Sequence, residues 1–131
     1  MIENNDLLEN NSFNNNYYGT SKAEIERISK EGKVCILEMD VNGANQTFKL
    51  NFPANYIGIL PPSIDMLEKR LNGRDLDSKE VIEKRLIIGK NEVEQINSSD
   101  IFNKKIVNDD LTNSYKEFKN TLSLMYPNLG L

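Results

Sequence analysis

Histidine is absent from the 131 residues, which excludes imidazole acid–base chemistry and histidine-based metal sites. Cysteine occurs once, as Cys35 inside an apolar run, so no internal disulfide can form; an inert thiol in a reducing compartment is expected. No apolar stretch approaches the ~18 residues of a spanning helix. The start Met1-Ile2-Glu3-Asn4-Asn5 has neither the cationic flank nor the apolar run of a secretory signal. A cytoplasmic chain without a membrane partner is therefore expected. Positive charge is also in deficit: a net charge of -4 and a pI near 4.9 argue against nucleic acid or an anionic bilayer, because both demand a cationic surface. An anionic ligand must then meet local cations, which stand at Lys69-Arg70, Arg74 and Lys84-Arg85.

What is present is enough for one globular domain, since 38% of the residues are hydrophobic and 27% charged. Asparagine dominates from Asn4 to Asn16, but Leu7, Leu8 and Phe13 interrupt it and predict partial order rather than a low-complexity tail. Ser21-Lys22-Ala23-Glu24 is a capping box opening a helix with Ile25 and Ile28 on its apolar stripe and Gly32 as its stop. Val34 to Met39, apolar except for Glu38, predicts a parallel strand buried on both faces. A short helix over Gly43 to Phe48 follows, then a second buried strand over Tyr56 to Leu60, closed by Pro61-Pro62. Ser63 caps a helix ending at Asn72-Gly73, and Ser78 caps a longer one carrying Ile82, Leu86, Val93 and Ile96, with Gly89 weakening its middle. Lys105-Ile106-Val107 predicts a last short strand. Asn108-Asp109-Asp110 then caps a helix with Leu111, Tyr115, Phe118, Leu122 and Met125 as its buried stripe.

Strands alternating with helices predict an α/β fold with a mainly parallel sheet. Ligands in such sheets bind beyond the carboxyl ends of the strands. Glu38, Asp40, the Pro61-Pro62-Ser63 turn and the Asn108-Asp109-Asp110 turn all sit at such ends and are expected to converge there.

Three strings carry a family resemblance: Asn16-Tyr17-Tyr18-Gly19-Thr20-Ser21, Cys35-Ile36-Leu37-Glu38-Met39-Asp40 and Val107-Asn108-Asp109-Asp110. Together they resemble guanylate kinase, the P-loop enzyme that moves a phosphoryl group from ATP to GMP. The resemblance runs from Met1 to the last helix. It implies a P-loop kinase-like parallel sheet with flanking helices, incomplete, with a partial GMP-binding lobe and a helical lid. On it, residues 1–20 are a remnant of the GMP-binding lobe, 21–63 core, 64–96 the lid region and the following helix, and 97–131 the last core strand and helix, within one domain overall.

Guanine presents two N–H donors beside a carbonyl acceptor, so its pocket needs a carboxylate and a hydroxyl. Glu9 stands nine residues before Tyr18, as a Glu does in the family. The resemblance implies that Glu9 and Thr20 read the base, Tyr18 contacts the GMP phosphate and Asp40 completes the guanine contacts. It also implies that Arg70, Arg74 and Arg85 form a lid over the ATP phosphates, that Asn108 lies near the adenine, and that Mg2+ accompanies ATP. Glu38 would hold the metal through water, although Asp is usual there. The link Gly73-Arg74-Asp75-Leu76-Asp77 replaces the family's usual Gly-Arg-Gly-Thr-Glu.

The sequence contains no Gly-x-x-x-x-Gly-Lys-Ser/Thr string, the cradle that holds ATP phosphates, nor the family's upstream GMP-phosphate ligands. Met1 to Asp6 resembles the interior of a GMP-lobe helix, so Met1 is expected to be an internal methionine of a truncated enzyme. Its ligands would be GMP and ATP, and it would be monomeric at full length. The piece alone would be inactive and prone to aggregate or pair through unpaired strand edges. The alternative is a non-catalytic guanylate-kinase-like interaction module, but such modules tend to lose the acid matching Asp40 and the lid arginines, which this chain keeps.

Overall fold

The computed structural model describes residues 7–13, 16–73 and 78–130, with side chains from residue 21 onward. Its contacts divide the chain into two compact units, Met1–Ala54 and Asn55–Leu131. Met1 to Asp6 and the link residues Arg74 to Asp77 lie outside the described residues.

The first unit begins with an antiparallel hairpin, β1 (Leu7–Phe13) and β2 (Asn16–Ser21). Within the asparagine-rich segment, Leu7–Phe13 is thus a strand. Ser21 ends the ribbon and caps α1 (Lys22–Lys30): its hydroxyl accepts from the Glu24 N–H at 3.4 Å. Glu24 does not reach back to close the capping box; its carboxylate binds Arg27. Gly32 adopts φ +78° just beyond the helix, a conformation that side-chain-bearing residues avoid. Asp40 then caps α2 (Val41–Lys49), which packs along β1 and buries Val41, Gly43, Ala44 and Thr47. The buried Thr47 hydroxyl donates to the Gly43 carbonyl at 2.9 Å, so it carries no desolvation penalty into the packed face.

Between these helices the structure departs from expectation. Residues 33–40 form no strand, and Ile36 is 66% exposed. A strand is stabilised by its ladder, and a doubly buried parallel strand needs a neighbour on each edge. Among the described residues none pairs with this run. Its hydrophobicity is strand-like, but it has no ladder to join.

The second unit is built on two parallel strands, β3 (Ile57–Leu60) and β4 (Lys104–Val107), registered Ile57 to Lys104 and Leu60 to Val107. Between them run α3 (Ile64–Asn72) and α4 (Lys79–Ser98), capped by Ser63 and Ser78 as their sequences predict. α5 (Leu111–Met125) follows β4, capped by Asp110. α4 covers one face of the strand pair and α5 the other. Gly58 approaches α4 so closely that a Cβ there would lie 2.8 Å from Ile96 Cγ2, while Lys104 reaches Glu117 of α5 at 3.3 Å. Ile106, 1% exposed, is the most buried side chain.

Two expectations need correction here. β3 is buried on alternate residues only: Gly58 and Leu60 face inward while Ile59 is 50% exposed, because α4 packs on one face of β3 and α5 lies mainly against β4. The apolar stripe of α5 is covered only in its later turns. Leu111 and Tyr115 are 77% and 62% exposed, whereas Phe118, Leu122 and Met125 are half-buried. A two-stranded sheet is too narrow to cover a helix of four turns along its length. Gly89, predicted to weaken α4, admits Leu67 of α3 instead: a Cβ there would lie 2.8 Å from Leu67 Cδ2. Among the described residues no helix is long and apolar enough to cross a membrane.

Candidate functional site

In the first unit the hairpin register sets Glu9 opposite Thr20 and Asn11 opposite Tyr18. Opposed positions of an antiparallel ladder are neighbours on one face, and Tyr18 and Thr20 share a face by the two-residue period. The register shifts between Leu7 and Glu9. That irregularity lies immediately before Glu9. No sequence pattern announced it. The three positions nominated for GMP thus lie on one ribbon.

Asp40 joins them through α2, which packs along β1. Its Oδ1 accepts from the Gly43 N–H at 2.8 Å, the bond of an N-cap. The cap is legible in sequence as Asp40 three residues before Gly43. The cap fixes the carboxyl group at the positive end of the helix dipole. Glu38 lies in the exposed run before it.

In the second unit the carboxyl ends of β3 and β4 are joined by the Asn108 N–H, which donates to the Leu60 carbonyl at 2.7 Å. Arg70, in the last turn of α3, donates from Nη2 to the Asp109 carbonyl at 3.2 Å. The structure therefore brings Arg70 to the turn that holds Asn108, an arrangement between residues far apart in sequence that no local signal predicted. Arg85 is half-buried on α4, the helix packed against α3. Arg74 lies outside the described residues. Beside these groups is a depression of about 260 Å³, lined by Leu60, Pro61, Pro62, Ser63, Ile64, Val93, Asn97 and Val107. Its walls are mostly apolar, and its place past the strand ends is where α/β sheets take ligands.

Tyr56 opens this sheet, donating its N–H to Asn103 Oδ1 at 2.7 Å; burial pushes its phenol above the ordinary tyrosine value. Among the described residues, no three His, Cys, Asp or Glu side chains cluster to hold a metal ion. The donor set fits at most one outer-sphere carboxylate toward a cation carried in on phosphate oxygens.

Comparison with known proteins identifies the family and the fold. The guanylate kinase family model matches residues 1–124. The chain is 42% identical to guanylate kinase 1 of Oryza sativa subsp. japonica over 118 residues, covering 90% of this chain and 31% of that protein. It is 35% identical to the guanylate kinase of Sus scrofa over 118 residues, covering 90% and 60%. A crystal structure of guanylate kinase from Anaplasma phagocytophilum superposes with a TM-score of 0.68 at 21% identity, covering 95% of this chain and 58% of that one. This likeness concerns the fold, an incomplete α/β P-loop kinase-like fold, as the family resemblance implied. The chain spans 31% and 60% of the length of these two curated relatives.

Proposed function

The chain belongs to the guanylate kinase family, and from that premise we propose that it carries the GMP-selecting side of an enzyme that phosphorylates GMP with ATP. The observation that carries this reading is the hairpin register, which opposes Glu9 and Thr20. A carboxylate at Glu9 accepts from the two N–H groups on guanine's edge, and the Thr20 hydroxyl donates to the carbonyl beside them. Adenine offers the reverse pattern and would leave both groups unpaired. Tyr18 contacts the GMP phosphate, and Asp40, held by its cap, completes the pocket.

On this reading Arg70, Arg74 and Arg85 serve the ATP side. Guanidinium groups bind phosphate oxygens in pairs and stabilise charge that develops during phosphoryl transfer. Asn108 lies toward the adenine. Glu38 would hold Mg2+ through water, and the ion would supply charge neutralisation at the ATP phosphates. Nothing among these 131 residues is a phosphate-cradling Gly-x-x-x-x-Gly-Lys-Ser/Thr string, so in this proposal the chain selects its acceptor but does not turn over alone. A cytoplasmic setting, where both nucleotides abound, fits it.

Calorimetric titration of the chain with GMP and with AMP tests the reading. GMP should bind at least about tenfold tighter, and Glu9→Gln should cost roughly 10- to 100-fold in GMP affinity, the value of charge-assisted hydrogen bonds. Equal binding of the two nucleotides, or a Glu9→Gln chain that keeps its preference, contradicts it.

A further inference from the structure

The chain contains two Asn-Gly pairs, Asn42-Gly43 and Asn72-Gly73, and the fold treats them differently. In such a pair the missing Cβ lets the glycine nitrogen approach the asparagine side-chain carbonyl, provided the backbone between them can leave its helical conformation. Asn42-Gly43 lies in the first turn of α2, where Gly43 is buried and its N–H donates to Asp40 Oδ1 at 2.8 Å. Val41, Ala44 and Thr47 are buried around it, so opening that turn exposes a packed face. Asn72-Gly73 instead closes α3, a helix with no fully buried residue. Both residues are exposed, and the Gly73 N–H donates to the Lys69 carbonyl at 3.0 Å in the last turn. Exposed helix ends of this kind fray at little cost in free energy.

We propose that Asn72 is a site of spontaneous deamidation in this chain, with water as the co-reactant. Deprotonated by hydroxide, the Gly73 nitrogen attacks Asn72 Cγ. The new N–Cγ bond closes a succinimide ring, and the Cγ–Nδ2 bond breaks as ammonia leaves. Water then adds to either ring carbonyl and opens the ring to aspartate or isoaspartate, with no change in oxidation state. The product carboxylate stands among Lys69, Arg70 and Arg74 in sequence, so the reaction adds a negative charge to a cationic segment. It also falls at the negative end of the α3 dipole, where an acid is disfavoured, in the turn from which Arg70 reaches the Asp109 carbonyl.

Incubation of the purified whole chain in mildly alkaline buffer at physiological temperature, followed by peptide mapping with mass spectrometry, tests the proposal. The mass increase of an amide-to-acid conversion should accumulate at Asn72 at least about tenfold faster than at Asn42, because reaction through an opened backbone follows the population of the opened form. Gly73→Ala should slow the conversion at Asn72 at least about tenfold, since the added methyl obstructs the approach of the nitrogen. The fold accepts that variant: the new Cβ would lie 3.4 Å from the Lys69 carbonyl oxygen, and φ at Gly73 is -72°. Conversion at Asn42 that matches or exceeds that at Asn72, an Asn72 that stays intact while a short peptide of the same local sequence converts, or a Gly73→Ala chain that deamidates like the wild type overturns the proposal.

Discussion

In the Asn55–Leu131 unit, the apolar run ending at Leu60 becomes strand β3 because β4 lies beside it and α4 covers one face. In the Met1–Ala54 unit, an apolar run of similar length, Val34–Met39, meets no described strand and stays irregular and partly exposed. The two runs differ little in hydrophobicity, so what separates them is the availability of a neighbour. Strand character belongs to a pairing, and a sequence supplies only one member of it. The same contrast separates the nominated positions. The first unit holds a hairpin and a capped helix, local structures sufficient to group Glu9, Tyr18, Thr20 and Asp40, while the second spends its long-range contacts on a sheet whose carboxyl end gathers Arg70 and Asn108.

The contrast is broken most forcefully in the second unit's core. Ile106→Ala, at the most buried position, should cost about 2 to 5 kcal/mol by chemical denaturation, whereas Ile36→Ala should change stability by less than about 0.5 kcal/mol. Comparable losses at the two sites would mean that the Val34–Met39 run is packed after all. Gly58→Ala comes next. The added methyl would meet Ile96 Cγ2 at 2.8 Å and the Phe102 ring at 3.3 Å, and overpacking of this kind costs about 1 to 3 kcal/mol; an unchanged unfolding midpoint would show that α4 can move away from β3.

Smaller effects sharpen the comparison within the first unit. Asp40→Ala should lose the cap of α2 at about 1 kcal/mol, whereas Asp40→Asn should hold stability to within a few tenths, because asparagine caps as well as aspartate. GMP affinity should fall in both variants, which separates the cap from the ligand role; an Asn variant that binds GMP like the wild type leaves Asp40 as a cap only. The least effect is expected at the exposed Glu24–Arg27 pair of α1. The hydrogen bond from Arg27 holds the Glu24 carboxyl below the usual carboxylate value. Its small contribution is present above the unfolded pKa and fades as pH falls through the folded one. Titration followed by NMR should show Glu24 returning to the ordinary range in Arg27→Ala, and an unmoved titration would place the cause elsewhere.

The caps at Ser21, Ser63, Ser78 and Asp110 were legible because an N-cap joins residues two or three apart and needs nothing distant. The helices therefore appear where the spacing predicts, and strands Ile57–Leu60 and Lys104–Val107 form because each is the other's partner. The Val34–Met39 strand failed for want of a ladder, and the exposed first turns of α5 for want of a wider sheet. The Glu9–Thr20 register and its bulge could not be read from residue types, since register is settled by pairing and turn geometry. Gly89 was read for its helix propensity alone, and its use became visible only when Leu67 was seen against it.

The central claim is that this chain selects a guanine nucleotide without itself supplying the cradle for the donor phosphates. A coupled assay of ADP formation by the purified 131-residue chain with GMP and Mg-ATP tests it most directly. The account predicts no turnover above background at any GMP concentration, while turnover near ~1 s⁻¹ or above, the range of kinases, would contradict it.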